Sequence, residues 1–198
     1  MSNTPYPIEN FAQTKSIPSH AKKVFKGHTF SVWQWEQKCY DGTVAIYERV
    51  QRPDYAFAVG VLPDQKIMLV EDEQPDRGTV LTPAGGGVEE GEDPAHAAAR
   101  ELLEETGYQA QEMVHWHSYR PDNRIEMISY GFIARGIQYK ETPRPEAGER
   151  IKPVFFSFDE FIDLGKNTHL RGWMMRTILL EAQIDPVKKE KIRSLFFG

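Results

Sequence analysis

The segment GGVEEGEDPAHAAARELLEETGY, residues 86–108, combines glycines, a proline, an alanine run and three glutamates in an order that a plain surface helix does not need. Asp93 is a favourable helix N-cap, and Pro94 suits the first helical position. The residues that follow are mostly strong helix formers, and Gly107 suits a left-handed helix C-terminus. The segment therefore predicts a glycine-rich loop, a three-turn helix and a glycine stop.

The predicted helix carries its glutamates close together. Glu101 and Glu105 are four residues apart, so their carboxylates lie one above the other, and Glu104 occupies the adjoining edge. Like charges at this spacing destabilise an isolated helix by roughly a few tenths of a kcal/mol per pair. Mg²⁺ relieves such repulsion, because it prefers oxygen ligands and combines carboxylates with substrate phosphate oxygens. A glutamate-rich helix alone usually faces solvent, but the whole segment favours a site for divalent metal and a diphosphate.

The neighbours of the glutamates have separate roles. Arg100 and Glu92 are expected to form an ion pair that orients the cluster. The glycines of PAGGG, residues 83–87, let the backbone turn tightly and approach a ligand. They can also present carbonyl or amide groups to metal and phosphate. The opposite, buried face of the helix is expected to consist of Ala95, Ala98, Ala99 and Leu102.

Residues 86–108 follow the spacing G-x5-E-x7-R-E-U-x-E-E-x-G-U, in which U is an apolar residue. With this motif the chain resembles the Nudix hydrolase family, whose members cleave a nucleoside diphosphate linked to another moiety. The departure is Tyr108, where the family usually has an aliphatic residue. The resemblance implies an α/β fold, an α/β/α sandwich with a mixed sheet. It implies that Glu101 and Glu105 bind Mg²⁺ or Mn²⁺, with Glu104 in or beside the metal shell.

Outside the motif, most of residues 29–183 are similar to the ADP-ribose and nucleoside-diphosphate-sugar pyrophosphatases of that family. The likeness rests on a two-strand N-terminal lead-in, on PAG before the motif and on the closing helical region. In that branch the residue at Ala84 offers its main-chain carbonyl to a metal. The N-terminal strands of that branch often build a dimer. The resemblance therefore implies a homodimer through these strands and ADP-ribose or a nucleotide sugar as substrate.

Those relatives take a further acidic residue from a loop after the motif, as metal ligand or general base. The loop here is ETPRPEAGERIKP, residues 141–153. Glu149 matches the metal-binding position best, and Glu146 is the nearer candidate for the base. For either residue alone, a solvated acidic loop is an equally good interpretation.

The family often grips its substrate with an aromatic–arginine pair before the motif. This chain has EDEQPDRG at residues 71–78, so Arg77 is at best a displaced counterpart. Loop arginines such as Arg124 could meet phosphate, although such residues usually face solvent. The candidate catalytic residues are Glu104, Glu105, Glu146 and Glu149. The candidate metal ligands are Ala84, Glu101, Glu105 and Glu149, and the candidate substrate-binding residues are Arg77, Gly85, Gly86 and Arg124.

Composition limits the alternatives. The chain has 198 residues and a net charge of −5, which argues against a partner that is a nucleic-acid polymer. Cys39 is the sole cysteine, no apolar run approaches the length of a membrane span, and the N-terminus lacks the features of a secretory signal. We therefore expect a cytoplasmic protein with no membrane partner.

Three regions are expected along the chain. Residues 1–22 predict a loose arm, residues 23–52 a small β extension with a hairpin turn at Asp41, and residues 53–198 the main domain. A capping box begins a short helix at Phe158, and a final amphipathic helix lies in residues 167–182.

Three other functions remain open from the sequence. The chain could be a binding module of the same fold that senses a nucleotide without cleaving it, which the intact glutamates disfavour. It could be a pyrophosphatase for dinucleotides or nucleoside triphosphates. An isomerase of isoprenyl diphosphates would need a reactive cysteine in the site, and Cys39 is far from the motif.

Overall fold

The computed structural model describes residues 16–198, so the predicted N-terminal arm lies mostly outside the described residues. The chain forms two compact units. The first unit comprises the described residues up to Tyr55 together with Ser118–Ser129, and the second comprises Ala56–His117 with Tyr130–Gly198. The first unit thus includes a segment that the sequence-based boundaries assign to the main domain.

The described residues contain thirteen strands and four helices of the α type. The strands are β1 Lys22–Lys26, β2 Ser31–Lys38, β3 Val44–Gln51, β4 Tyr55–Val61, β5 Ile67–Gln74, β6 Gly78–Thr82, β7 Ala84–Gly87, β8 Tyr108–Gln109, β9 Glu112–Tyr119, β10 Ile125–Glu126, β11 Ser129–Arg135, β12 Gln138–Tyr139 and β13 Arg150–Phe156. The helices are α1 Pro94–Thr106, α2 Phe158–Asp163, α3 Trp173–Ile184 and α4 Pro186–Phe197. None of these helices is both long and apolar enough to cross a membrane.

The first unit is built on a four-stranded sheet in the order β1-β2-β3-β10. The hairpin expected at Asp41 joins β2 to β3, with Trp35 opposite Tyr47 in an antiparallel register. The short β10 pairs in parallel with β3, a pairing that the sequence pattern does not predict.

The second unit is built on a sheet in the order β13-β5-β4-β11-β9, with β6 on β5 and β7 on β4. Side chains of β5 alternate between two cores: Ile67 and Leu69 join the core formed with α2, α3 and α4, whereas Met68 and Val70 join the core formed with α1. This alternation follows from the two-residue period of a strand. Helices therefore cover both sides of the sheet, which confirms the predicted α/β class.

The ends of α1 are as predicted. The Asp93 side chain accepts hydrogen bonds from the amides of Ala95 and His96, and Gly107 has a φ of 75°. The buried face, however, contains Ala97, Ala98 and Leu102. Ala95 is partly buried and packs against this core, as predicted, whereas the prediction for Ala99 is wrong, because Ala99 is partly buried and lies outside the core.

Two further expectations differ from the structure. Residues 84–87 are not a loop but the short strand β7, which pairs with β4. Strand pairing uses only backbone groups, so a glycine run can join a sheet where its neighbours approach closely. The helix predicted in residues 167–182 is α3, which begins only at Trp173. It is not the last helix, because α4 follows it after Asp185, whose side chain accepts hydrogen bonds from the amides of Val187 and Lys188.

Burial of His117 on β9 makes stability depend on pH. Its ring contacts Phe57 and Trp116, with ring centroids 5.6 and 4.6 Å away. Burial, and secondarily the charge of His115, lowers the pKa of His117 from 6.5 to about 4. The folded chain therefore binds this proton less readily than the unfolded chain, so stability present above pH 6.5 is lost as pH falls toward 4.

We expect His117→Phe to reduce this pH dependence. Between pH 7 and pH 5 the histidine accounts for about 2 kcal/mol of the loss in free energy of unfolding. Urea denaturation at pH 7 and pH 5 measures the free energy of unfolding, with the exposed His169→Gln as the control. An unchanged difference between the two pH values in His117→Phe would contradict the assignment.

Candidate active site

The candidate site forms where the glycine backbone of β7 meets the glutamate side of α1. The amide of Gly85 donates a hydrogen bond to Glu105 Oε2 at 3.3 Å. A side chain at Gly86 would clash with the Glu101 carboxylate. Ala84, at the start of β7, is 1% exposed. The two glycines therefore leave space for two stacked carboxylates against the sheet.

Glu105 is the most unusual carboxylate of the site. It is 8% exposed. Burial, followed by the charges of Glu101 and Glu149, raises the pKa of Glu105 to about 9. Burial also raises the pKa values of Glu101 and Glu149, to which neighbouring carboxylates add. Three glutamates from α1 and the loop before β13 thus lie close enough for the charges of Glu101 and Glu149 to disfavour ionisation of Glu105.

Arg100 organises the outer edge of this cluster. Its Nε donates to Glu92 Oε1 at 3.0 Å, and its Nη1 donates to Glu101 Oε1 at 2.8 Å and Glu104 Oε2 at 3.0 Å. Its Nη2 bonds the Gly87 carbonyl at 3.1 Å. The predicted pair with Glu92 is present, and Arg100 also links α1 to β7.

Removal of Arg100 should impair activity through Glu101. Arg100→Ala frees the Glu101 carboxylate to rotate, so we expect kcat to fall roughly 10- to 100-fold, as for the loss of groups that orient metal ligands. Steady-state kinetics with a purified, folded variant measure this, and Arg150→Ala, an exposed arginine of β13, is the control. Activity within twofold of the wild type would show that Glu101 needs no such support.

Glu149 and Glu146 lie differently in the loop before β13. Gln74 Nε2 donates to Glu149 Oε1 at 2.9 Å, and the Glu149 amide donates to the Glu146 carbonyl at 2.9 Å. Glu149 is half-buried, whereas Glu146 is exposed. The structure therefore brings Glu149 into the cluster and leaves Glu146 at its solvent side.

Three other residues that the sequence predicts for the site, Glu104, Arg77 and Arg124, have different surroundings. Glu104 is 43% exposed at its side chain and accepts from the same Arg100 Nη1 as Glu101 does, so it lies at the exposed edge of the cluster. Arg77 follows β5 and forms an ion pair with Asp72. Arg124 belongs to the first compact unit and is exposed. Asp72 was not predicted, because one aspartate in an acidic strand end carries no spacing signal.

The donor chemistry of the cluster fits a hard divalent cation. Glu101, Glu105 and Glu149 offer carboxylate oxygens, which Mg²⁺ and Mn²⁺ prefer. As the side chains stand, no three histidine, cysteine, aspartate or glutamate residues within residues 16–198 converge as a metal site. One Glu101 oxygen is bonded to Arg100 instead. Cation binding would therefore require these carboxylates to turn toward one another.

A profile of the NUDIX domain matches residues 52–176, well over half of the chain. The chain belongs to the Nudix family. This membership, with the relatives below, confirms the prediction of a Nudix pyrophosphohydrolase, similar to the ADP-ribose pyrophosphatase branch.

Two curated relatives and one solved structure illustrate the similarity. The chain is 28% identical over 145 residues to a methanol dehydrogenase activator of Bacillus methanolicus, covering 72% of this chain and 73% of that protein. It is 26% identical over 125 residues to the ADP-ribose pyrophosphatase of Bacillus subtilis (strain 168), covering 62% and 68%. The crystal structure of an ADP compounds hydrolase superposes with a TM-score of 0.69 at 19% identity, over 86% and 95% of the two chains. The superposition confirms the Nudix fold.

Proposed function

We propose that this Nudix hydrolase cleaves the diphosphate linkage of a nucleoside diphosphate joined to another moiety, with ADP-ribose or a nucleotide sugar as substrate. The products are a nucleoside monophosphate and a sugar phosphate. The observation that carries the proposal is the desolvated group of Glu101, Glu105 and Glu149 beside the glycine backbone of β7. The similarity to an ADP-ribose pyrophosphatase supports this class of substrate.

Glu101, Glu105, Glu149 and the Ala84 carbonyl would hold Mg²⁺ or Mn²⁺. When bound, the cation supplies positive charge to the diphosphate oxygens as water attacks phosphorus. We assign Glu104 a supporting position at the edge of this shell, since Arg100 holds it there.

Proton transfer is assigned to the loop before β13. A glutamate there, Glu149 or the more exposed Glu146, orients the attacking water and accepts its proton. The oxygen of that water joins the attacked phosphorus, and the bridging P–O bond breaks. Arg77 and the backbone of Gly85 and Gly86 are proposed to contact the diphosphate oxygens.

A turnover screen tests the proposal. Release of nucleoside monophosphate is measured with Mg²⁺, Mn²⁺ or excess EDTA on ADP-ribose, nucleotide sugars, dinucleoside polyphosphates and nucleoside triphosphates. The proposal expects metal-dependent turnover that is highest for ADP-ribose or a nucleotide sugar. Preference for triphosphates or dinucleotides would reassign the substrate, and no turnover on any diphosphate would favour a nucleotide sensor.

We also propose a homodimer formed through the N-terminal strands and a cytoplasmic location. Five apolar side chains of strands β1 and β3 are 49–63% exposed, and a cluster of exposed apolar side chains is typical of an interaction surface. They are Val24, Phe25, Val44, Ile46 and Tyr47. Cys39 is a free cysteine, as is usual in a reducing compartment. Light scattering of the wild type and of Ile46→Lys tests the dimer, which the charged variant should weaken.

A second candidate function follows from the similarity to a methanol dehydrogenase activator. In this case the chain would raise the activity of a dehydrogenase. A methanol dehydrogenase assay with and without the chain tests it, and Glu105→Gln shows whether any stimulation depends on hydrolysis.

A further inference from the structure

Asp72, near the end of β5, carries a carboxylate that is only partly satisfied. The residue is 6% exposed. Its Oδ2 accepts a hydrogen bond from Arg77 Nη2, whereas its buried Oδ1 has no hydrogen-bond partner within residues 16–198. The residue lies on the α1 side of the sheet, where its charge contributes to raising the pKa values of Glu105 and Glu149. Asp72 is therefore part of the active-site region.

The guanidinium of Arg77 is also only partly hydrogen-bonded. Its Nε is buried and has no hydrogen-bond partner in the part of the chain that the structure describes. Its charge acts on Glu149, where it partly offsets the burial that raises the pKa of that carboxyl. Arg100 offers a contrast, because its Nε, Nη1 and Nη2 all bond residues of the motif. The donors of Arg100 are thus all bonded within the motif, whereas Arg77 Nε has no partner among the described residues and 24% of the Arg77 side chain remains exposed.

A buried ion pair with an unsatisfied atom on each partner contributes little to stability, since buried polar groups without hydrogen bonds cost free energy. The same pair suits a ligand that brings acceptors and water. A phosphate oxygen can accept from the arginine, and a water held by the ligand can donate to Asp72 Oδ1.

We propose that Asp72 is a positioning residue that holds Arg77 so that its guanidinium binds a phosphate oxygen of the substrate. This inference rests on the proposed function, in which Arg77 contacts the diphosphate. It adds the reason why an arginine displaced from the family's usual position reaches the site: Asp72, five residues earlier, anchors it across the β5–β6 turn.

The test is a double-mutant cycle of Arg77→Gln and Asp72→Asn. The readouts are calorimetric binding of α,β-methylene-ADP, a diphosphate that cannot be hydrolysed at its bridge, with Mg²⁺, and KM and kcat for the best substrate. We expect each single variant to weaken binding and raise KM roughly tenfold, with a smaller change in kcat. The double variant should lose no more affinity than the single variant that binds less tightly, because both changes remove the same contact.

The matched control is the exposed pair of Glu73 on β5 and Arg150 on β13, 3.4 Å apart. Glu73→Gln and Arg150→Gln should change neither binding nor KM. Arg77→Lys should recover part of the lost affinity, since it keeps the charge without the planar fork. Thermal melting confirms that each variant is folded.

Three results would overturn the inference: wild-type affinity and KM in a folded Asp72→Asn, additive losses in the double variant, or a lower melting temperature with unchanged KM. No analogue binding by the wild type, combined with no effect of either variant on KM, would also overturn it. Failure of the proposed function looks different. In that case the wild type binds the analogue and depends on both residues, but hydrolyses no diphosphate.

Discussion

Glu105→Gln should lower kcat by about a thousandfold or more, the scale seen when a group that stabilises the transition state is removed. The side chain is the most buried glutamate of the site. It receives a hydrogen bond from Gly85 and lies within the influence of Glu101 and Glu149. Glutamine keeps the shape and the bond from Gly85 but removes the charge with which Glu105 is proposed to hold a cation. Steady-state kinetics at saturating Mg²⁺ measure the loss.

The same substitution should stabilise the metal-free protein. Burial raises the pKa of Glu105 from 4.5 to about 9. The folded chain therefore holds this proton more tightly than the unfolded chain, so stability present below pH 4.5 is lost as pH rises toward 9. Glutamine has no proton to lose. With EDTA at pH 8, Glu105→Gln should thus melt at a higher temperature than the wild type.

With magnesium, the wild type should melt at a higher temperature than Glu105→Gln. Mg²⁺ is expected to raise the melting temperature of the wild type by binding the folded state, and to have little effect on Glu105→Gln. The exposed Glu90→Gln in the same motif is the control and should behave as the wild type does. Near-normal turnover in Glu105→Gln, or an equal response of its melting temperature to Mg²⁺, would remove Glu105 from the metal site.

The second large effect concerns three consecutive glycines. A Cβ at Gly85 would lie 2.5 Å from the Ala56 carbonyl oxygen and 2.6 Å from Phe57 Cβ, and backbone cannot move aside cheaply. We expect Gly85→Ala to cost about 3 kcal/mol of the free energy of unfolding, or roughly 6–12 °C in melting temperature. This loss comes from β7 being forced off β4.

The next two glycines should respond differently. At Gly86 a Cβ meets the end of the Glu101 side chain, which can rotate away. Gly86→Ala should therefore remain folded, with stability within about 1 kcal/mol of the wild type, and lose at least tenfold in kcat through a displaced Glu101. At Gly87 nothing lies within 4 Å, so Gly87→Ala should change neither property.

Denaturant unfolding and kinetics on all three variants measure this series, with Gly87→Ala as the internal control. Equal losses of stability at all three positions would mean that the three glycines contribute only backbone flexibility. Full activity in Gly86→Ala would show that the position of Glu101 does not matter for turnover.

Some features of the site could be predicted because they are local. The caps of α1 at Asp93 and Gly107 and the stacking of Glu101 on Glu105 depend on residues within a few positions of one another. The ion pair of Arg100 with Glu92 spans only eight residues. The strand character of β7 was not predictable in this way, since it arises from pairing with β4 and no side-chain pattern marks it.

By itself, the sequence determined the family motif, the α1 segment, the α/β class and the residue types that could hold a cation. Tertiary structure alone decided which of these residues are desolvated together. Glu105 and Glu149 are forty-four positions apart, and Asp72 enters from a third element, so their mutual repulsion and their burial exist only after β5, α1 and the loop before β13 have packed. Charge and burial at a site are sums over elements distant in the chain, which is why local patterns cannot specify them.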